Sequence, residues 1–138
     1  MTPTARSLDL LREMGYTAEV VERWVPGAKI RRDLFGFADV LGCHAKFGVL
    51  AIQCTTGDHA AARTSKAMDE ARLLTWLKAG AKFEVWGWAL RGARGKRKLW
   101  VLSRRIAHLD SGAVKFSPVG VTAEIPDSCE RHAFAGAS

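Results

Sequence analysis

Two polar residues stand where a plain core strand would have none. Asp39 interrupts Phe37-Ala38-Asp39-Val40-Leu41, and Gln53 interrupts Val49-Leu50-Ala51-Ile52-Gln53-Cys54. A buried carboxylate costs several kcal/mol unless it is paired or bound to a metal. A carboxylate and an amide in adjacent apolar strands therefore predict a shared site. Side chains alternate along a strand, so Asp33, Phe35, Phe37 and Asp39 are expected on one face. Val49, Ala51, Gln53 and Thr55 are expected on one face of the next strand, with Leu50, Ile52 and Cys54 opposite.

The elements that must hold this pair can be read on either side of it. Thr4 to Met14 predicts a helix with Thr4 or Ser7 as cap, Leu8 and Leu11 as apolar stripe and Gly15 as stop. Asp9 and Glu13, four apart, read as solvated helix carboxylates. Thr17 to Val25 predicts a strand before the Pro26-Gly27 turn, with Glu22 on the face of Val20 and Trp24. Glu22 either points at the site or pairs with Arg23, Arg31 or Arg32. Residues 31–56 predict a central hairpin with its tip over Gly42 to Gly48. Asp58 to Ala79 predicts one long helix, because Ala67, Met68, Ala71, Leu74 and Leu77 recur at helical spacing. Arg63 and Lys66 fall in its first two turns, beside the end of the Gln53 strand. Lys82 to Leu90 and Leu99 to Ile106 predict paired strands, and Val114 to Ile125 one or two short ones. Residues 1–126 read as a single domain and 127–138 as a flexible tail.

Gly36-Phe37-Ala38-Asp39 followed by Ile52-Gln53-Cys54-Thr55 resembles the PD-(D/E)XK nuclease superfamily, in particular its Holliday-junction-resolvase-like branch. The resemblance is a short motif match, covering about the first hundred residues by pattern order. It implies an α/β fold with an αβββαβ core, a mixed central sheet flanked by helices. It implies that Asp39 is the metal-binding aspartate, that Gln53 stands in the glutamate's place and Thr55 in the lysine's. Lys66 or Arg63 would then supply the missing cation, and Glu22 or Asp33 a second carboxylate. A backbone carbonyl near Cys54 would complete the shell. The family's acidic position on the first helix falls closest to Arg6. The expected cofactor is Mg²⁺ or Mn²⁺ and the expected partner structured DNA, in a phage- or mobile-element-borne enzyme that forms a homodimer. The alternative is a catalytically inactive nuclease fold, kept as a DNA-binding or protein-interaction module.

The rest of the sequence bears on the same choice. The chain has 138 residues, 21 Lys and Arg against 14 Asp and Glu, and a net charge of +7. That balance favours a polyanionic partner, with nucleic acid the default. Arg91-Gly-Ala-Arg-Gly-Lys-Arg-Lys98 carries five cations and no acid between two predicted strands. Arg91, Arg94, Lys96, Arg97 and Lys98 suit phosphate binding together with Arg63, with Arg104 and Arg105 nearby and Trp88 and Trp100 flanking. Cys43, Cys54 and Cys129 are odd in number and carry no disulfide spacing, which suits a reducing cytosol. A zinc site from Cys43, His44, Cys54 and His59 matches no usual ligand spacing. No apolar run is long enough to cross a bilayer, and no secretory signal, P-loop or Gly-x-Ser-x-Gly elbow is present.

Overall fold

The computed structural model describes residues 1–126, with side chains as far as residue 119. The expected tail, 127–138, lies outside the described residues. Among these the chain folds as α/β, with three helices and a mixed six-stranded sheet. Helix α1 (Pro3–Glu13) is followed by β1 (Thr17–Val20), β2 (Arg23–Val25), β3 (Ile30–Arg32), β4 (Val40–His44) and β5 (Gly48–Thr56). A 3₁₀ turn (Gly57–His59), α2 (Ala60–Met68) and α3 (Ala71–Lys78) lead to β6 (Lys82–Arg91), β7 (Leu99–Asp110) and β8 (Ala113–Pro126).

The sheet order is β1-β4-β5-β6-β7-β8, with β2 and β3 forming a separate two-stranded ribbon. Only β5 and β6 run parallel; every other neighbouring pair is antiparallel. A parallel pair needs a crossover, and α2 and α3 provide it. The sheet is covered on both faces, which is why β5 is buried from Leu50 through Thr55 and reads as an unbroken apolar run. Leu50, Ile52 and Cys54 pack with Leu10, Leu11, Trp86 and Trp88 on the α1 face. Ala51 packs with Phe37, Ala60, Ala67, Leu73 and Phe83 on the α2–α3 face.

Four expectations about the elements need correction. The cap of α1 is Thr2, whose hydroxyl accepts from Ala5 N at 3.1 Å. Ser7 is instead buried in the core, donating to Pro3 O and accepting from Trp88 Nε1 at 2.9 Å. Thr17 to Val25 is not one strand: it breaks at Val21 and Glu22, whose N–H groups both donate to Asp39 O, at 2.8 and 3.3 Å.

Residues 33–39 are not a strand either. Leu34 and Ala38 pair as an isolated bridge around a tight turn, with Phe35 and Gly36 both left-handed at φ 55° and 78°. The expected common face of Phe35 and Phe37 is lost: Phe37 is fully buried against Phe83, while Phe35 is 44% exposed. Finally, the long helix is broken at Asp69 and Glu70. Glu70 is extended (φ −87°, ψ 109°) and its carboxylate accepts from Arg72 N, capping α3. The C-terminal strands are longer than expected, with β8 a single strand that shifts register against β7 near Ser103.

Candidate metal centre and its cleft

Asp39 precedes β4 at the point where three segments cross. Because Leu34 and Ala38 are bridge partners, the residues flanking them, Asp33 and Asp39, come side by side. Because the Val21 and Glu22 amides donate to the Asp39 carbonyl, Glu22 is drawn to the same spot. One oxygen of each carboxylate, from Glu22, Asp33 and Asp39, lies within 4.8 Å of the others. Sequence reasoning offered Glu22 and Asp33 as alternatives for a second carboxylate; the fold brings both.

Asp39 is the buried member, at 3% exposure. Its Oδ2 accepts from Gln53 Nε2 at 2.8 Å and from Cys54 N at 2.8 Å. The two strands are therefore locked through one carboxylate oxygen. Burial pushes the Asp39 carboxyl from 3.8 up to about 8, helped by a hydrogen bond with Asp33 and by the negative charges of Asp33 and Glu22, and opposed by the Cys54 N–H. Desolvation and like charge both disfavour the ionised form. A proton or a cation resolves the conflict, and three carboxylates with no His or Cys among them suit a hard cation such as Mg²⁺ or Mn²⁺.

The three acids open into a cleft of about 280 Å³, lined also by Thr4, Arg31, Gln53, Cys54, Arg63 and Lys66. Arg31 Nη1 lies 3.4 Å from Glu22 Oε1. Arg63 and Lys66 come from α2, where spacing of three puts them on one face. Their arrival beside the acids matches the expectation that this helix places cations near the Gln53 strand. The cleft thus brings three carboxylates together with the cations Arg31, Arg63 and Lys66, a lining with the charges to take a metal ion and a phosphate together.

The other expected site residues are placed differently. Thr55 is buried on β5 and is not part of the cleft lining. The Cys54 thiol sits in the α1-side core, where burial pushes its pKa far up, so it is no nucleophile. Cys43 is exposed on β4 while Cys54 is buried, and the four proposed zinc ligands do not gather: among the described residues the one metal-competent group of three or more is Glu22, Asp33 and Asp39.

Arg6 stands 3.8 Å over the Trp100 ring rather than at the acids. Trp88 is buried, and Trp100 is half-buried under Arg6, so neither offers a free stacking face. Arg104 is also committed. Its Nε sits 2.8 Å from Glu84 Oε1, out of line for a hydrogen bond but close enough to pair the charges. Arg105 lines a second groove, with Thr64, Met68, Lys115, Phe116 and Pro118.

Arg91, at the end of β6, and Arg94, Lys96, Arg97 and Lys98, in the β6–β7 connection, are all exposed. Parallel pairing sets Thr56 beside Trp88. Arg91 therefore lies three residues, roughly 10 Å, beyond that row, at the sheet end where β5 delivers Gln53 to the cleft. Two residues with a bearing on the site escaped sequence reasoning: Thr4, which gave only a helix-cap signal, and Arg31, which was considered only as a partner for Glu22.

Comparison does not assign a family. No protein-family model matches the chain, and neither curated proteins nor solved structures give a match. The functional reading therefore rests on the chemistry of the cleft. No helix among the described residues is long and apolar enough to cross a membrane.

Proposed function

We propose that this protein is a divalent-metal-dependent DNA nuclease whose site is a variant of the PD-(D/E)XK arrangement. The observation that carries the reading is the convergence of Glu22, Asp33 and Asp39 within 4.8 Å, in a cleft shared with Arg63 and Lys66. One sure carboxylate makes a poor magnesium site; three, with open positions for water and phosphate oxygens, make an adequate one. The order of helix, antiparallel strands, crossover helices and parallel strand also agrees with the αβββαβ core that the motif resemblance implies.

In this reading Glu22, Asp33 and Asp39 would hold Mg²⁺ or Mn²⁺, which when bound would supply a water of lowered pKa and positive charge opposite the phosphate. Gln53 and the Cys54 N–H fix Asp39 through Oδ2, so the carboxylate need not reorganise when substrate arrives. Lys66 and Arg63, across the cleft, hold the scissile phosphate in the role that Thr55 cannot fill. The β6–β7 loop supplies further phosphate contacts and accounts for the basic charge.

A second reading, an inactive fold that binds DNA, is favoured by one detail. Gln53 donates its amide to Asp39 and is a neutral, weaker ligand than the glutamate it replaces. Metal-dependent cleavage separates the two: a nuclease cuts DNA with Mg²⁺ or Mn²⁺ and loses this with Asp39→Asn, whereas a binding module only retards it.

A further inference from the structure

Among the described residues the ribbon of β2 and β3 has no third strand. Three residues on each side pair only with each other: Arg23 with Arg32, Trp24 with Arg31 and Val25 with Ile30. An isolated two-stranded ribbon is marginal in water, and this one carries features that weaken it further. Residues 23–32 contain four cations, Arg23, Lys29, Arg31 and Arg32, and no acid. Arg23 lies directly opposite Arg32, where like charges repel. Such a pairing becomes favourable when a polyanion lies along it.

Trp24 is 54% exposed on this ribbon. The other four tryptophans are engaged: Trp76 donates to Lys82 O and packs with Phe37, Trp86 and Trp88 are buried, and Trp100 is covered by Arg6. Directly opposed residues of an antiparallel pair share a face, roughly 5 Å apart. Trp24 therefore shares the face of Arg31, whose guanidinium reaches Glu22 in the cleft. The exposed indole is thus one strand pair away from a residue that lines the cleft, Arg31.

We propose that the β2–β3 ribbon is a clamp for unpaired nucleic-acid bases, in which Trp24 stacks on a base next to the phosphate held in the cleft. Arg23 and Arg32, on the other face of the ribbon, add to the positive field that draws the nucleic acid in. The proposal rests on the nucleic-acid reading above and adds the substrate class: a single strand, or a junction or flap with bases out of the stack. In an intact duplex the base faces are already stacked on one another, so Trp24 has nothing to stack on, whereas an unpaired base of any identity offers a face.

The test is binding, measured by fluorescence anisotropy in EDTA, of a labelled oligothymidylate and of a blunt hairpin duplex. Wild type is expected to prefer the single strand. Trp24→Ala should weaken oligothymidylate binding by roughly tenfold, the scale of one base–aromatic stack, and leave duplex binding unchanged. Trp24→Phe should recover most of the loss, and circular dichroism melting should show all variants folded. Arg23→Gln with Arg32→Gln should weaken both substrates alike. The proposal is overturned if wild type binds no single strand or does not prefer it, or if Trp24→Ala leaves single-strand binding intact or weakens both substrates equally. Cleavage measured on the same preparations separates the two ideas. Trp24-dependent binding without metal-dependent cutting would leave the clamp and remove the nuclease, and cutting indifferent to Trp24 would do the reverse.

Discussion

Asp33 and Asp39 stand side by side because the residues between them, Leu34 and Ala38, are bridge partners around a turn with two left-handed residues. A bulky residue at φ 55°, as Phe35 is, is strained by of order 1 kcal/mol or more. The turn therefore opposes two tendencies at once, the backbone preference of phenylalanine and the repulsion of like charges. Phe35 recovers some of this by packing near Trp76 and Phe37. The charge repulsion is relieved when the carboxylates receive a proton or a cation.

The first consequence is a pH dependence of stability. Burial and the neighbouring acids raise the Asp39 carboxyl from 3.8 to about 8 in the folded protein. In the window between those values the native state binds more protons than the unfolded chain, so stability falls as pH rises. The contribution is fully present below about pH 4 and lost as pH passes through 8, and amounts to a few kcal/mol. In EDTA the melting temperature should fall between about pH 5 and 8. Asp39→Asn, which keeps an acceptor for Gln53 and Cys54, should flatten that slope and melt higher than wild type at the alkaline end. A steeper slope in the variant would contradict the assignment.

Metal binding should mirror this behaviour. Addition of Mg²⁺ or Mn²⁺ is expected to raise the melting temperature more at pH 8 than at pH 5, because protons and the cation compete for the same oxygens. Glu22→Gln and Asp33→Asn should each weaken the calorimetric affinity by at least about tenfold, the loss typical even for residues that only orient metal ligands. Equal affinity in all three proteins would move the metal elsewhere.

How far the sequence disclosed this site depends on the range of the interactions involved. Asp39 and Gln53 were visible because each breaks an apolar run, and they do meet, at 2.8 Å. Arg63 and Lys66 were visible because helical spacing places them together near the end of β5. The split of Thr17 to Val25 was not visible, because its cause is the carbonyl of Asp39, distant in sequence. The turn at Phe35-Gly36 was half visible: Gly36 signals a turn, but phenylalanine before it does not, since such turns favour Asn or Asp there. The helix break was hidden because Ala67, Ala71, Leu74 and Leu77 keep their period through it, and Glu70 is an uncommon cap. The covering of Trp100 by Arg6 is a tertiary contact that no local pattern announces.

Ser7 tests the packing of α1 on the sheet. Its hydroxyl accepts from the buried Trp88 Nε1 at 2.9 Å. Ser7→Ala leaves that donor without its partner, at a cost of about 1–3 kcal/mol, visible as a lower denaturant midpoint. A change near zero would mean that the indole finds another acceptor.

The basic loop should matter for DNA and not for folding. Arg91, Arg94, Lys96 and Lys98 are exposed, so replacing all four by Gln should leave the melting temperature in place. If each meets a phosphate, the slope of log affinity against log salt for duplex DNA should decrease by as much as about 3.6. An unchanged slope would remove the loop from the interface.

The most direct test of the account is cleavage of single-stranded, branched and duplex DNA by wild type and Asp39→Asn, prepared alike, with Mg²⁺, Mn²⁺ or EDTA. The account predicts cutting by wild type with either metal, none in EDTA, and a loss of at least about a hundredfold in the variant, on the scale of removing one group that stabilises the transition state. Salt-sensitive binding without cutting, or cutting that persists in Asp39→Asn, would contradict it.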